Sequence, residues 1–372
     1  MKEIEAMGKT GKLAEDRSNS TPIKQPWFCV AVLPLGGTIF KTEAESPASF
    51  LEKLGSTTIG WVDHVTQDAD FDKEAISAAA QLGFSNELVS SLIGQSYLTY
   101  QDLDTEMGMK VPCIQVGQLE VETRPLLLLL RKNFILTIHP VNVDRRFIRL
   151  RRYAETVLKR IPADGNAEDK LTLLLMRIID HNNDHNFEHL RQIEEQGDHL
   201  NEIMTDPYTP RTKLGPEIYH MKHALITYLN SLWDTVDVLH TLRYGDAELI
   251  TNDQKILAKL AILVEDVNRQ IGLAEHMSDV MASGLEVLQS MYNNQLQNLN
   301  NRLALLMSYL TIIGTAVLVP NTLATMLSNA VFDIGPEDLG WYLALMIGST
   351  IVATGLVYWW VRRRGWIPKR MD

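Results

Sequence analysis

Residues 303–332 read LALLMSYLTIIGTAVLVPNTLATMLSNAVF, a run of thirty residues without a charged side chain. A second uncharged run follows at 339–361 and reads LGWYLALMIGSTIVATGLVYWWV. A bilayer core of about 30 Å needs roughly 20 helical residues, so each run is long enough to cross a membrane. The two runs therefore predict two transmembrane helices within 303–361, joined by the short loop 333–338.

The charges that flank these runs predict their orientation. The tail 362–372 is basic and begins with three consecutive arginines, whereas the loop holds three acids and no base. Because basic residues gather on the cytoplasmic side of a membrane, we expect both termini in the cytoplasm and the loop outside. The sequence thus predicts a multi-pass protein of the cell (inner or plasma) membrane. The alternative is a buried helical hairpin in a soluble core, which such flanks disfavour.

The composition of the chain excludes several other classes of protein. Of its 372 residues, 45% are hydrophobic and 22% charged, which is ordinary for a folded protein and excludes wholesale disorder. The net charge of −11 argues against nucleic acid as a partner. Two cysteines, Cys29 and Cys113, are too few for a disulfide framework. No nucleotide-binding loop or catalytic motif occurs in the sequence, so it does not predict an enzyme.

The part of the chain before the membrane runs divides into three predicted segments. Residues 1–26 are polar and lack the apolar stretch of a signal peptide, so we expect a disordered leader. Residues 27–165 mix strand and helix patterns and predict a cytoplasmic α/β domain. Residues 166–302 predict a helical bundle that ends in a stalk helix. The predicted fold class is α+β: a cytoplasmic α/β domain, a long helical stalk and two C-terminal transmembrane helices.

A helix-packing seam leads directly into the first membrane run. Its large side chains recur at steps of three and four residues, namely Leu285, Leu288, Tyr292, Leu296, Leu299 and Leu303. No proline separates the seam from the membrane run, so stalk and span are predicted to be one helix, of order 100 Å long at about 1.5 Å per residue. A helix of that length needs neighbours along it, which predicts a homo-oligomer.

Small polar residues form a stripe in the first membrane run. With one valine included, its members are Ser308, Thr311, Thr315, Val319, Thr322, Thr325 and Asn329. A stripe of this kind indicates either a packing interface between helices or the lining of a water-filled pore. Two spans cannot enclose a conduit, so a pore requires a ring of subunits. In such a ring Asp333, Glu337 and Asp338 would surround the extracellular mouth and attract cations.

Three histidines, His181, His185 and His189, lie four residues apart on a helix predicted over 169–204. Histidines at this spacing can bind Zn²⁺, Ni²⁺ or Co²⁺ if a second helix adds a ligand. The alternative is a solvated, partly salt-bridged helix face, because aspartate or glutamate precedes each histidine. Both interpretations remain open from the sequence.

The membrane part resembles the CorA family of divalent-cation channels. The resemblance lies in Leu310-Thr311-Ile312-Ile313, in Pro320 within the first span, in the loop Pro336-Glu337, in Trp341 at the start of the second span, and in the basic tail. It implies a homopentamer in the lipid membrane, with passive influx of a divalent cation through a pore lined by the first span. The family's pore-facing positions fall on Ser308, Thr311, Thr315, Val319 and Thr322.

The resemblance also implies an ion and exposes one departure from the family pattern. Mg²⁺ is the favoured substrate and a candidate gating ligand, with Zn²⁺, Co²⁺ or Ni²⁺ transport as the alternative. The family's Gly-Met-Asn motif is absent from the chain, and Asn329, Ala330 and Val331 occupy its place. A divergent member without that motif could also be a non-conducting, membrane-anchored sensor or scaffold.

Overall fold

The computed structural model describes residues 25–34, 37–67, 70–95, 98–117, 120–205, 214–244, 247–328 and 335–363. These residues belong to two compact units, Met1–Ala282 and Ser283–Asp372. Nearly all of the predicted leader, 1–26, and most of the predicted basic tail, 362–372, lie outside the described residues.

The first unit is built on a seven-stranded sheet with the order β2-β1-β3-β7-β6-β5-β4. Neighbouring strands are antiparallel except for β3 and β7, which are parallel. The strands are β1 (Trp27–Val32), β2 (Ile39–Ala44), β3 (Ile59–Thr66), β4 (Tyr100–Asp102), β5 (Glu106–Gly117), β6 (Glu120–Arg131) and β7 (Phe134–Pro140).

Nine α-helices and three single-turn 3-10 helices lie within the described residues. The α-helices are α1 (Leu51–Gly55), α2 (Phe71–Gln81), α3 (Asn86–Gly94), α4 (Asp144–Lys159), α5 (Ala167–Asn183), α6 (Asn186–Thr205), α7 (Leu214–Tyr244), α8 (Gln254–Leu327) and α9 (Leu339–Arg363). The 3-10 helices are Pro47–Ser49, Val141–Val143 and Pro336–Asp338.

The core of the first unit lies on both faces of the sheet. Five consecutive leucines, 126–130, are fully buried in β6, because successive side chains of a strand point to opposite faces and both faces are covered. Leu127 and Leu129 pack with α2 and α3, whereas α7 packs on β5 and β6 from the other side. The predicted α+β fold class, with a long helix and two apolar C-terminal helices, is confirmed.

The prediction of one continuous helix over 169–204 is wrong. This stretch is divided into α5 and α6, with Asp184 and His185 in a turn between them. Side chains on either side of the turn are bonded to other elements: the Asn182 amide donates to the carbonyl of Pro112 (2.9 Å), and the Asn186 amide donates to Gln270 (3.1 Å). The hydroxyl of Tyr228 also donates to the main-chain carbonyl of Asn186 (2.7 Å). These tertiary hydrogen bonds fix a break that helical periodicity alone does not predict.

The predicted continuity of stalk and first span is confirmed. Helix α8 runs from Gln254 to Leu327 without interruption, and Pro320 lies inside it. Helices α8 and α9 are both long and apolar enough to cross a membrane.

Candidate ion pathway

One face of α8 is partly covered within the second unit. Its less exposed side chains recur at steps of three and four residues and include Leu305, Ser308, Ile312, Thr315, Ala316, Val319, Leu323 and Leu327. Helix α9 has a matching stripe, which includes Tyr342, Met346, Ser349, Thr350, Ala353, Val357 and Val361. Ser308 (7% exposed) and Val361 (1% exposed) line one cavity of about 350 Å³. At this cavity α8 and α9 lie beside each other, and Thr311 and Trp360 also line it.

The side chains of the predicted polar stripe differ in their exposure. Ser308, Thr315 and Val319 lie on the partly covered face of α8. Its other described members are exposed, namely Thr311, Thr322 and Thr325. Because a helix turns about 100° per residue, Thr325 lies roughly 100° around α8 from Ser308.

The hydroxyl groups of the stripe all donate within the helix. Ser308, Thr311 and Thr315 donate to the carbonyls four residues earlier at 2.9 Å, and Thr325 does so at 2.8 Å. Thr322 makes the same bond, to the carbonyl of Leu318. Since each hydroxyl hydrogen is already used, the oxygen offers only its acceptor lone pairs. Such oxygens suit a hydrated cation, whose water ligands donate hydrogen bonds.

Asn321 is exposed on α8 directly after Pro320. The uncharged run 303–332 contains two carboxamides, Asn321 and Asn329.

The acidic residues of the predicted loop differ in their local roles. The carboxylate of Asp338 accepts hydrogen bonds from the main-chain N–H of Gly335 (3.2 Å) and from the indole N–H of Trp341 (3.0 Å), so it closes the 3-10 turn Pro336–Asp338 and holds the Trp341 side chain. Glu337 is exposed. Asp333 and the positions of the selectivity motif, Asn329, Ala330 and Val331, lie outside the described residues.

The three predicted metal-binding histidines have different surroundings. His181 is buried, and its ring nitrogens lie 2.9 Å from a carboxylate oxygen of Asp184 and 3.0 Å from the carbonyl oxygen of Arg146. The rings of His185 and His189 are 6.5 Å apart, and burial lowers the pKa of His189 to about 4. In the part of the chain that the structure describes, no three His, Cys, Asp or Glu side chains form a metal-binding group. The three-histidine site stays a prediction.

Comparisons with known proteins agree with this architecture. The family model described as CorA-like Mg2+ transporter protein matches residues 56–363. The complete CorA magnesium transporter from Methanocaldococcus jannaschii has a similar fold, with a TM-score of 0.66 and 17% identity over 93% of this chain and 100% of that one. No curated protein sequence matches significantly.

Two further solved structures share the fold. Full-length CmaX has a TM-score of 0.58 and 14% identity, over 93% of this chain and 99% of that one. The ZntB cytoplasmic domain from Vibrio parahaemolyticus RIMD 2210633 has a TM-score of 0.50 and 14% identity, over 72% of this chain and 98% of that one. At these identities the likeness establishes the fold alone.

Proposed function

The chain belongs to the CorA-like Mg2+ transporter family, and we propose that it is a passive influx channel for divalent cations with Mg²⁺ as the favoured ion. The observation that carries the proposal is the exposed side of α8, which presents acceptor oxygens from Thr311, Thr322 and Thr325 within an uncharged membrane segment. Transport across the membrane, rather than catalysis, is the activity that this arrangement fits.

A pore of this kind requires several copies of the chain, and we propose a homopentamer. Helix α8 of each copy faces the axis. The residues proposed to line the conduit are those of the polar stripe: Ser308, Thr311, Thr315, Val319, Thr322, Thr325 and Asn329.

The preference for Mg²⁺ follows from the chemistry of the lining. Mg²⁺ dehydrates reluctantly, so neutral oxygens that accept hydrogen bonds from its water ligands suit it better than a cage of direct ligands. A neutral lining also lets the ion leave, which conduction requires. The same ion, bound between cytoplasmic units, is the proposed gating ligand.

Flux into liposomes tests the proposal. The purified full chain is reconstituted with a Mg²⁺-sensitive dye inside and an inside-negative potential is applied. We expect uptake of Mg²⁺ and no comparable uptake of K⁺. Uptake of Zn²⁺, Co²⁺ or Ni²⁺ should be slower than uptake of Mg²⁺. Preferred Zn²⁺, Co²⁺ or Ni²⁺ uptake would make the protein a transition-metal transporter, and absence of flux for every divalent ion would make it a sensor or scaffold.

The exposed loop acid gives the first prediction. We expect Glu337→Gln to lower Mg²⁺ uptake by roughly threefold at low salt, because a ring of carboxylates at the mouth concentrates cations. The difference should shrink at about 0.15 M salt, where the Debye length is only about 8 Å. Initial uptake rates at two ionic strengths measure the effect. Glu286→Gln on the stalk is the matched control, and an equal loss in both variants would contradict a role for the mouth.

A further inference from the structure

A cavity of about 280 Å³ lies at one edge of the central sheet, where two parallel strands end. Strands β3 and β7 are neighbours, and their last residues, Thr66 and Pro140, lie side by side. Gln67 and Val141, which follow the two strands directly, both line the cavity. The cavity therefore lies just outside the carboxyl ends of β3 and β7.

The chain leaves these two strands toward opposite faces of the sheet. After β3 it enters α2, where Ala75 packs in the apolar cluster that includes Ile138 of β7. After β7 it enters α4, where Phe147 stacks on His139, the strand residue that points away from Ile138. A crevice at such a switch point is where open sheets with flanking helices bind ligands. The volume of the cavity lies near the lower end of the range for ligand pockets, so it suits a small molecule.

His64 of β3 gives the cavity a buried hydrogen-bond acceptor. Its side chain lines the cavity beside Trp27, is 8% exposed, and has a pKa that burial lowers to about 4, so the ring is neutral at pH 7. A hydrogen bond to the Pro26 carbonyl uses the donor nitrogen of the ring, so Nδ1 is the acceptor. Nδ1 has no hydrogen-bond partner among the residues that the structure describes. Because a buried acceptor without a partner is unfavourable, a donor group in the cavity would complete the site.

Glu74 of α2 gives the cavity its charge. Its Oε2 accepts the main-chain N–H of Gln67 at 2.7 Å, which holds the carboxylate at the cavity and leaves Oε1 for a ligand. No basic residue is among the described residues that line the cavity. The site thus offers negative charge and acceptor atoms, and it lacks the cation that a phosphate or carboxylate would need. This chemistry favours a cationic ligand with N–H groups.

We propose that this cavity binds a small organic cation, a primary ammonium or a guanidinium, between Glu74 and His64. The Glu74 carboxylate accepts one charged N–H group, and Nδ1 of His64 accepts another from the same ligand. A bare metal ion fits less well, since no three His, Cys, Asp or Glu side chains form a metal-binding group within the described ranges. The inference goes beyond ion conduction and does not depend on it.

Calorimetric titration of the full chain in an uncharged detergent tests the proposal. The probes are putrescine, a diammonium, and agmatine, which also carries a guanidinium. Tetramethylammonium, a cation without N–H groups, acetate and Zn²⁺ are titrated separately for comparison. Glu74→Gln removes the charge of the cavity, and His64→Phe keeps an aromatic ring but removes the acceptor. Asp72→Asn is the matched control, because it removes an exposed acid of α2 that does not line the cavity.

We expect at least one of the two amines to bind at one site per chain, with tetramethylammonium and acetate at least tenfold weaker. Glu74→Gln should weaken amine binding by roughly tenfold or more, because a charged hydrogen bond is lost. His64→Phe should weaken it by roughly threefold or more, because a neutral hydrogen bond is lost. Asp72→Asn should bind as the unaltered protein does. Melting temperatures show that each variant is folded.

Four results would overturn the inference. They are the absence of binding for both amines, an affinity unchanged in either cavity variant, equal affinity for tetramethylammonium, and Zn²⁺ binding that requires Glu74 where the amines do not bind. The last result would identify a metal site instead. None of them bears on ion conduction, which the liposome assay tests separately.

Discussion

Asp63 is a fully buried carboxylate in β3, and it links the central sheet to α4. It accepts a hydrogen bond from Nε of Arg151 at 2.5 Å and lies 3.3 Å from Nε2 of His139. Thr137 of β7 also donates to it. Burial alone would raise the pKa of Asp63, but Arg151 and then His139 outweigh it and hold that pKa below its ordinary range. Asp144 Oδ1 lies 3.0 Å from Nη2 of Arg151 and forms an ion pair with it, but the two atoms are not aligned for a hydrogen bond.

We expect Asp63→Asn to lower the free energy of unfolding by about 3–5 kcal/mol, because it leaves a mostly buried guanidinium without its main partner. Melting of the full chain in detergent measures the change. Asp70→Asn is the control, since its ion pair with Lys73 is exposed and contributes at most about 1 kcal/mol. Equal melting temperatures for the two variants would contradict a stabilising role for the buried network.

The same carboxylate predicts a pH dependence. A depressed pKa in the folded state adds stability above the unfolded value of about 4, and that stability is lost as pH falls toward the folded value. The difference in free energy of unfolding between the unaltered protein and Asp63→Asn should therefore shrink as the pH falls below about 4. A constant difference between the two melting curves at every pH would exclude this linkage.

At the scale of elements, the turn between α5 and α6 is held by buried polar side chains. His181 bridges the carboxylate of Asp184 and the carbonyl of Arg146, so it fastens the end of α5 to α4. Cys113 of β5 donates to the Asn182 side chain at 3.0 Å and fastens the same end to the sheet. The turn is therefore a consequence of tertiary hydrogen bonds.

We expect His181→Ala to destabilise the protein by about 1–3 kcal/mol, because a buried carbonyl loses its partner. The melting temperature measures this, and His220→Ala on the exposed side of α7 is the control. Calorimetric titration with Zn²⁺ separates the structural role from the predicted metal site. Loss of a Zn²⁺-binding event in the variant, without destabilisation, would show that His181 is a ligand instead.

The elements differ in how far the sequence predicts them. The charge-free runs and the absence of proline between Pro216 and Pro320 sufficed to predict α8 and α9, because membrane spans and helix continuity depend on local composition. The hairpin between β6 and β7 was also predictable, from the polar residues 131–133 between two apolar runs. The division of the polar stripe was not, since it depends on which face of α8 meets Val361 and its neighbours on α9.

At the scale of the whole molecule, the stalk exposes a row of apolar side chains in a single chain. Leu296, Leu299 and Leu303 are 42%, 55% and 54% exposed. Apolar residues at this spacing are typical of helices that pack against copies of themselves. The spacing of the leucines in the sequence predicted this row, and the proposed oligomer supplies the partner that would cover it.

We expect the double variant Leu296→Glu, Leu299→Glu to dissociate the oligomer, because it places charges in the seam. Light scattering on the detergent-solubilised protein measures the mass. The control is Gln295→Glu, Gln297→Glu, which adds the same charge on the same stretch beside the seam. A monomeric unaltered protein, or a double variant of unchanged mass, would contradict association through the stalk.

The unbroken course of α8 has a mechanical consequence. Its first turns are anchored by Leu260, Val264, Val267 and Ile271, which are buried in the first unit. From there no loop interrupts the helix up to Leu327, and Pro320 removes one N–H from its backbone hydrogen bonds. We expect an axial rotation imposed at the anchored end to turn Ser308, Thr311 and Thr315 through the same angle, because these residues precede that break.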